Sequence, residues 1–186
     1  YSDPEVEENQ FVADVDDPVF GRCRQPGHAL VITPPMQIVR CAPKLDSDRT
    51  DILADLEPRE PIYRGDAVPA APLEGFRVLD FGSALAGPLG PMMLGDLGAD
   101  VIKIEKLEGD HMRVMEGAFV GCQRNKRNLV LQLKSAKAQD ILERLVAQSD
   151  IVHHNIRLKA VEKLGLDYDS LKAFREDLIY THVSTY

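Results

Sequence analysis

The stretch from Leu73 to Glu105 leaves few folds open to the chain. It carries an apolar run, a cluster of glycines, a short periodic segment, a lone glycine and a second apolar run. Arg77 to Phe81 reads as a buried strand. Gly82, Gly87 and Pro88 follow at once and turn the chain before it coils. Met92, Met93 and Leu97 share one helical face, and Gly98 stands at the C′ position, where φ must turn positive. Val101 to Ile104 is a second strand, ending at Glu105 and Lys106. Strand, helix and strand in this order are half of a wound parallel sheet, and such sheets bind ligands outside the carboxyl ends of their strands. The windows to inspect are therefore Gly82 to Gly90 and Glu105 to Arg113.

The rest of the C-terminal region continues the alternation. Leu107 to Gln123 is polar and glycine-punctuated, a loop with at most a helical turn. Asn128 to Leu133 is a third strand, and Ser135 can cap the helix that follows. Ala138, Ile141, Leu142, Leu145 and Val146 have the spacing of one buried helical face. Asp150 to His154 is a fourth strand. Leu158 to Leu164, ended by Gly165, and Tyr168 to Phe174 are short helices, and Leu178 to Ser184 is a fifth strand. Residues 1–57 look different. Phe11 to Val15 alternates as an edge or antiparallel strand. Asp17-Pro18 and Pro26-Gly27 mark turns, Ala29 to Ile32 reads as a second short strand, and Thr50 to Leu56 as a short helix with acidic residues near its N-terminus. Residues 58–72, with Pro58, Pro61, Pro69 and Pro72, have the composition of a semi-rigid linker.

Composition narrows the function. A length of 186 residues suits one domain, or one and a fragment. A net charge of −8 argues against nonspecific nucleic-acid binding and against a basic membrane-surface protein. No apolar run approaches a membrane span. The acidic start from Tyr1 to Glu8 does not read as a signal peptide, and without an initiator Met it reads as internal to a longer chain or as processed. Cys23, Cys41 and Cys122 fit neither a zinc pattern nor a disulfide framework, which points to a reducing cytoplasm.

Several groups are candidates for chemistry. The first turn lacks the Gly-x-Gly-x-x-Gly fingerprint of dinucleotide binding: its glycines are Gly82, Gly87 and Gly90, with Ala84 where the second glycine belongs. Glu105 sits where a ribose-binding acid would. Arg124-Asn125-Lys126-Arg127 is the one dense basic cluster; it suits a phosphate group, and without other support it reads as a solvated loop. Asp110 and Arg113 either pair with each other or meet a ligand. His153 and His154 point to opposite faces of their strand and cannot chelate one metal together; one is expected in the core and one in solvent. Asn155, just past that strand, is the better ligand candidate. Asp80 and Asp100 flank turns and read as capping or turn residues. No Ser-His-Asp set, His-Glu-x-x-His helix or cysteine pair occurs, so no metal is expected.

Taken together, Leu79-Asp80-Phe81, Ala86-Gly87-Pro88, Asp96 to Glu105, Gly109-Asp110 with Arg113, Asn125-Lys126-Arg127, Leu131 with Leu133-Lys134, and Asp150 with Asn155 resemble the N-terminal half of class III CoA-transferases. This is the CaiB/BaiF family, which includes formyl-CoA transferase, carnitine-CoA transferases and α-methylacyl-CoA racemase. The resemblance runs from Leu73 to the end. The upstream segment resembles the family's C-terminal tail, through Asp3-Pro4, Val15 to Pro18 with Gly21, Pro26-Gly27, Ala42-Pro43 and the helix from Asp48 to Leu56. The expected organisation is the tail of one copy (1–57), a linker (58–72) and the Rossmann-like half of a second copy (73–186), the junction of a tandem protein.

The resemblance implies a Rossmann-like parallel sheet with flanking helices that binds coenzyme A, in proteins that form interlocked dimers and act on acyl-CoA and carboxylic acid substrates. It places CoA contacts on Ala84 and Leu85 in the first turn, on Lys106 after the second strand, on Leu131 and Lys134 around the third, and on Asn155 and Ile156 after the fourth. Lys106 and Lys134 would neutralise phosphates. The family's nucleophilic aspartate would lie beyond Tyr186, so no catalytic residue is named within the chain. A racemase-type isomerase, or a non-catalytic copy completing a pseudo-dimer, is the alternative. Departures are visible too. His154-Asn155-Ile156-Arg157-Leu158-Lys159 stands where relatives carry Glu-Asn-Phe-Arg-Pro-Gly, which removes an aromatic platform for adenine. Pro91 replaces a backbone donor, so the first helix is expected to start late or lose a bond.

Overall fold

The computed structural model describes residues 3–57 and 69–184. Helix α1 (Pro4–Glu8) leads into an antiparallel hairpin of β1 (Val12–Asp17) and β2 (Gly21–Pro26), and α2 (Arg49–Ala54) follows. The remainder is β3 (Arg77–Asp80), α3 (Ala86–Asp96), β4 (Asp100–Glu105), a 3-10 turn (His111–Val114), α4 (Glu116–Gln123), β5 (Lys126–Val130), α5 (Ala136–Ala147), β6 (Ile151–His154), α6 (Leu158–Lys163), α7 (Tyr168–Leu171) and β7 (Ile179–His182). The five strands from β3 on form one parallel sheet in the order β5-β4-β3-β6-β7. This is the Rossmann-like α/β architecture, preceded by a small strand-rich segment.

Three local expectations differ from what is found. Ala29–Ile32 is not a strand: it has no pairing partner, and Val31 is 94% exposed. The second strand of the hairpin is Gly21–Pro26, whose polar sequence hid it. Leu107–Gln123 is more than a loop, because Phe119, Val120 and Met112 bury against Ala42 and fix α4 there. Of the expected linker, residues 58–68 lie outside the described residues. Its end is already packed: Leu73 N donates to Leu97 O at 2.9 Å, and a Cβ on Gly98 (φ +96°) would stand 2.4 Å from the Ala71 Cβ.

The two sheet faces differ in chemistry, and the two-residue alternation sorts them. Leu79, Ile102, Ile104, Leu129 and Val152 face an apolar core filled by Leu142, Leu145, Val146, Val161 and Leu171. Ile52 and Leu56, from α2 and its end, join the same core, each burial worth about 1.5–3 kcal/mol. On the opposite face Asp80, Lys103, Lys126, Asn128 and His153 are all buried. Both histidines are therefore internal, not one in and one out. His154 Nε2 meets the Tyr180 hydroxyl at 2.6 Å, that hydroxyl donates to Leu166 O, and Ile156 N donates to His154 Nδ1.

Helix α3 explains why the second face tolerates polar groups. Its sequence, Ala-Gly-Pro-Leu-Gly-Pro-Met-Met-Leu-Gly-Asp, is poor helix material. Of the two expected outcomes, a late start or a lost bond, the second holds: the helix begins at Ala86 and runs through Pro91. The ring of Pro91 removes the donor that Gly87 O would receive four residues on. His153 Nε2 replaces it at 2.7 Å, and its Nδ1 meets the Thr181 hydroxyl at 2.7 Å. Since Gly87 O only accepts, Nε2 carries the hydrogen. Pro88 O receives the Lys126 ammonium at 2.7 Å.

The amino ends of the strands are tied by a second network. Arg77 is 3% exposed; it donates to Asp100 at 2.7 Å and to Gln148 at 3.0 Å, and pairs with Asp55. Arg127 joins Asp100 at 2.6 Å. Asp100 is thus an ion-pair centre and not a cap. Burial alone would raise its pKa, but the two guanidinium groups hold it below the usual carboxylate value.

Two outcomes are expected. His153→Ala should cost about 1–3 kcal/mol by orphaning Gly87 O, and less in a Pro91→Ala background, where the backbone regains its donor; denaturant unfolding of the double-mutant cycle measures this. Burial, with His182 and His153 nearby, lowers the His154 pKa from 6.5 to about 4. The folded state then takes up its proton later than the unfolded chain, so stability should fall as pH drops from about 6.5 towards 4. Imidazole nitrogen NMR should show His154 neutral, with hydrogen on Nε2, down to about that lower value.

Candidate functional site: a lysine-rimmed crevice at the carboxyl edge of the sheet

The carboxyl ends of β3, β4 and β5 open into a crevice of about 560 Å³. Its walls are apolar where Phe81, Ile104, Leu131, Leu133, Ile156 and Leu164 contribute. Its floor is Lys103 and Asp110, and Lys106 and Lys134 stand at its mouth. Of the two windows, Glu105–His111 line it almost throughout, and Gly82 and Ser83 line it from the first turn.

The first turn is held rigidly by side chains from other strands. Asp80 Oδ1 accepts from Gly82 N at 2.7 Å, and Lys103 Nζ donates to Gly82 O at 2.7 Å. Ser83 N donates to Asn155 Oδ1 at 2.9 Å, while Asn155 Nδ2 donates to Ser83 O at 2.9 Å. Ala84 sits at φ +62°, a conformation a non-glycine residue adopts only when its surroundings fix it. Gly87 supplies the room: a Cβ there would stand 2.7 Å from the Asn155 amide. Asn155 therefore shapes the turn, with both amide atoms already engaged.

Beneath the turn lie buried charges. Lys103 Nζ is 3.2 Å from Asp110 Oδ2, and both side chains are within 1% of full burial. Burial alone would raise the Asp110 pKa, but the Met112 N–H and the Lys103 ammonium outweigh it and hold it low. Lys126 contacts Asp80 at 2.7 Å and Gln123 Oε1 at 2.8 Å; burial lowers its pKa to about 8, against the pull of Asp80. Glu105 binds Arg113 at 2.6 and 2.9 Å, the Asp110 N–H at 2.6 Å and Asn128 at 2.6 Å.

Several expectations change accordingly. Asp110 and Arg113 do not pair with each other; each has its own buried partner. Glu105 is committed to Arg113 and Asn128 and is not free for a ribose. The basic cluster is neither a phosphate site nor a solvated loop. Arg124 is 1% exposed and binds Asp96 at 2.6 Å, together with Pro26 O and Gly27 O. Lys126 is fully buried, and Arg127 pairs with Asp100. Asp80 does accept the expected turn hydrogen bond, and it also forms an ion pair with Lys126.

Of the residues singled out for coenzyme A, Lys106, Leu131, Lys134 and Ile156 line the crevice. Leu131 is buried, Ile156 half-buried, and the Lys106 side chain is 66% exposed, 3.9 Å from Glu108. Ala84, Leu85 and Asn155 are not among its lining residues. Ala84 is the strained residue of the turn and Leu85 is the exposed N-cap of α3. Sequence reasoning named Asp110 as a candidate but missed Lys103 and the pairing of the two. A lysine between two isoleucines in a buried strand, with an acid seven residues on, was the available signal. Among the described residues no group of three or more His, Cys, Asp or Glu side chains is placed to hold a metal ion, and no helix is long and apolar enough to cross a membrane.

A wound parallel sheet with a preshaped, lysine-rimmed cleft at its carboxyl edge is a ligand-binding α/β domain. The model of CoA-transferase family III matches residues 73–186, and the chain belongs to that family. The (R)-2-hydroxy-4-methylpentanoate CoA-transferase of Clostridioides difficile is 37% identical over 126 residues, covering 61% of this chain and 32% of the relative. A probable CoA-transferase of Mycobacterium tuberculosis, Rv1866, is 35% identical over 152 residues, covering 78% of this chain and 19% of that protein. The crystal structure of Rv3272 from the same organism is 40% identical with a TM-score of 0.61, covering 64% of this chain and 34% of its own. The chain thus spans about a third of the length of the first of these relatives.

The turn makes a prediction with an internal control. Gly87→Ala should displace Asn155 and cost about 1–3 kcal/mol. Gly90→Ala, on the same helix but with open space around its Cβ, should be neutral or stabilising by a few tenths to 1 kcal/mol. Thermal or denaturant unfolding of the two variants checks the contrast.

Proposed function

We propose that the crevice binds the nucleotide end of coenzyme A, and that the protein to which this chain belongs transfers CoA between carboxylic acids. The observation that carries this reading is the placement of two exposed ammonium groups, Lys106 and Lys134, at the mouth of a cleft with apolar walls and a paired Lys103–Asp110 floor, beside a rigid backbone turn. Apolar walls suit an adenine ring, and mobile cations at the rim suit phosphates through charge-assisted contacts. The names of the relatives, CoA-transferases acting on hydroxy acids and dicarboxylates, support the same class. The acyl and carboxylate partners, and the reacting aspartate, would be met by the remainder of a family-length polypeptide.

The non-catalytic scaffold has two observations in its favour: Asn155 is already spent on Ser83, and Ile156 offers no aromatic ring to a base. A racemase-type activity is the other alternative. For organisation, we propose the tail of one copy followed by the start of a second, forming an interlocked or tandem pair. The match to Rv1866 supports this, since it takes in more of this chain while covering a smaller share of a longer relative. The proposed setting is the cytoplasm, in keeping with three free thiols.

Calorimetric titration with CoA decides the binding reading. Binding should be measurable, and Lys106→Ala and Lys134→Ala should each weaken it roughly tenfold, as expected for loss of one charged contact. Absent heat at millimolar CoA, or unchanged affinity in both variants, would sink it.

A further inference from the structure

A second cavity, of about 180 Å³, opens where the upstream segment meets α4, and it shares no lining residue with the crevice. Its walls come from Val19 and Phe20 in the turn between β1 and β2, from Ala42 and Pro43, and from Phe119 and Val120 of α4. Ala42, Phe119 and Val120 are buried, while Val19 and Phe20 stand exposed at its lip. The volume is several times the ~30 Å³ share of one water, and similar to the ~150 Å³ cavity that accepts a benzene ring. A ligand of about four to six heavy atoms is the size that fits.

Arg113, Asp17 and Lys44 carry the charge around this cavity. Arg113 is already spent. Its Nε and Nη2 donate to Glu105 at 2.9 and 2.6 Å, its Nη1 donates to Pro43 O at 3.1 Å, and its guanidinium lies 4.2 Å over the Phe119 ring. Asp17 is only half used, although it is 8% exposed. Its Oδ1 accepts from Val19 N at 2.8 Å and Phe20 N at 3.1 Å and so fixes the turn. Its Oδ2 has no hydrogen-bond or ion-pair partner among the described residues. A buried carboxylate is costly to leave without a counter-charge, so this one depends on what enters the cavity. Lys44 is exposed at the rim and makes no ion pair with it.

We propose that this cavity binds a small organic cation, an ammonium or guanidinium group on a short aliphatic arm, with Asp17 as its charge partner. The apolar walls cover the arm, and Oδ2 receives a charge-assisted hydrogen bond. Arg113 adds no repulsion of its own, because Glu105 neutralises it. A carboxylate of the same size would meet Asp17 with Lys44 alone to offset it. Lys44 is therefore a weak competitor for the site and not its reader. The same chemistry is offered by a free amine and by a lysine or arginine side chain of a polypeptide. The site does not rest on the coenzyme A reading, and its failure would leave that reading untouched.

The test titrates the full chain with n-butylammonium while NMR follows the Val19 and Phe20 amides and the Val120 methyl groups. Saturable shifts are expected, with a dissociation constant on the order of 1–10 mM for a ligand of this size. Butyrate, of similar size and opposite charge, should give none. This comparison needs no variant and so does not depend on one folding. Asp17→Asn keeps an oxygen for the two turn amides and removes the charge; it should weaken butylammonium roughly tenfold or more. Lys44→Ala should leave binding intact or tighten it. N-acetyl-lysine methylamide separates the sources: binding equal to that of the free amine assigns the ligand to a polypeptide side chain, and loss of binding assigns it to a free amine. No saturable shift with n-butylammonium, butyrate binding as well as the cation, or an unchanged affinity in Asp17→Asn would overturn the proposal.

Discussion

The structure depends on buried lysine ammonium groups aimed at main-chain carbonyls. Lys103 and Lys126 rise from the sheet face under α3 and end on Gly82 O and Pro88 O. Gly82 O lies in the turn before α3, and a sheet face lined with Val and Ile would leave it without this partner, at a cost of about 1–3 kcal/mol. Pro88 O gains the Lys126 ammonium as a further partner, and the carbonyl that Pro91 leaves without its helical donor, Gly87 O, is met by His153. The cations in turn need Asp80 and Asp110, since an uncompensated buried charge costs several kcal/mol. Asp80 and Asp110 then reach the turn itself, through Gly82 N and the floor of the crevice. The composition of α3, the polar face beneath it and the shape of the cleft are thus one arrangement: altering any member removes a partner from the others.

The edge of β5 follows the same logic by another route. An exposed parallel edge invites pairing with a second chain. Here the carboxylates of Asp46 and Asp48 take the N–H groups and Arg49 takes a carbonyl. Burial raises the Asp48 carboxyl, yet Arg40, Ser47 and the Asn128 N–H outweigh it and hold its pKa low. The edge is closed by charge, and this binds residues 36–56 to a sheet whose first strand begins twenty residues later.

The local pattern of the chain was readable where one residue type decides the outcome. The strands β3, β4 and β6 are centred on short apolar runs, the Ser135 hydroxyl does cap α5 through Ala138 N, and Gly98 and Gly165 do adopt positive φ; β5 instead begins in the basic cluster at Lys126, ahead of the expected start at Asn128, and ends at Val130 rather than Leu133. The failures share a cause. Arg124 and Lys126 looked solvated because their acids, Asp96 and Asp80, precede them by 28 and 46 residues. His153 looked like a surface or core choice because its true partner is a carbonyl freed by Pro91. Helix α4 was hidden by Gly117 and Gly121, and its burial with Met112 and Ala42, beside α3, fixes it. Of the crevice, Lys106, Leu131, Lys134 and Ile156 followed from the family resemblance. The Lys103–Asp110 pair on its floor required knowing which way a strand lysine turns.

That division bears on how the cleft works. The residues fixed by buried partners shape the backbone, and Lys106 and Lys134 stand exposed at the rim. A turn already held at both faces of the Ser83 peptide loses little conformational entropy when a ligand arrives. On the proposed coenzyme A reading, Lys106 and Lys134 would lose side-chain freedom, about 1.5–2 kcal/mol each when fully fixed. Their contribution to affinity would then be the charge-assisted contact less that loss, so that the rim would tune strength and the pinned turn would set the shape of what is accepted. A substitution at the rim would then change affinity for every ligand sharing the same anionic group, whereas one at Gly87 or Asn155 would change which ligands fit.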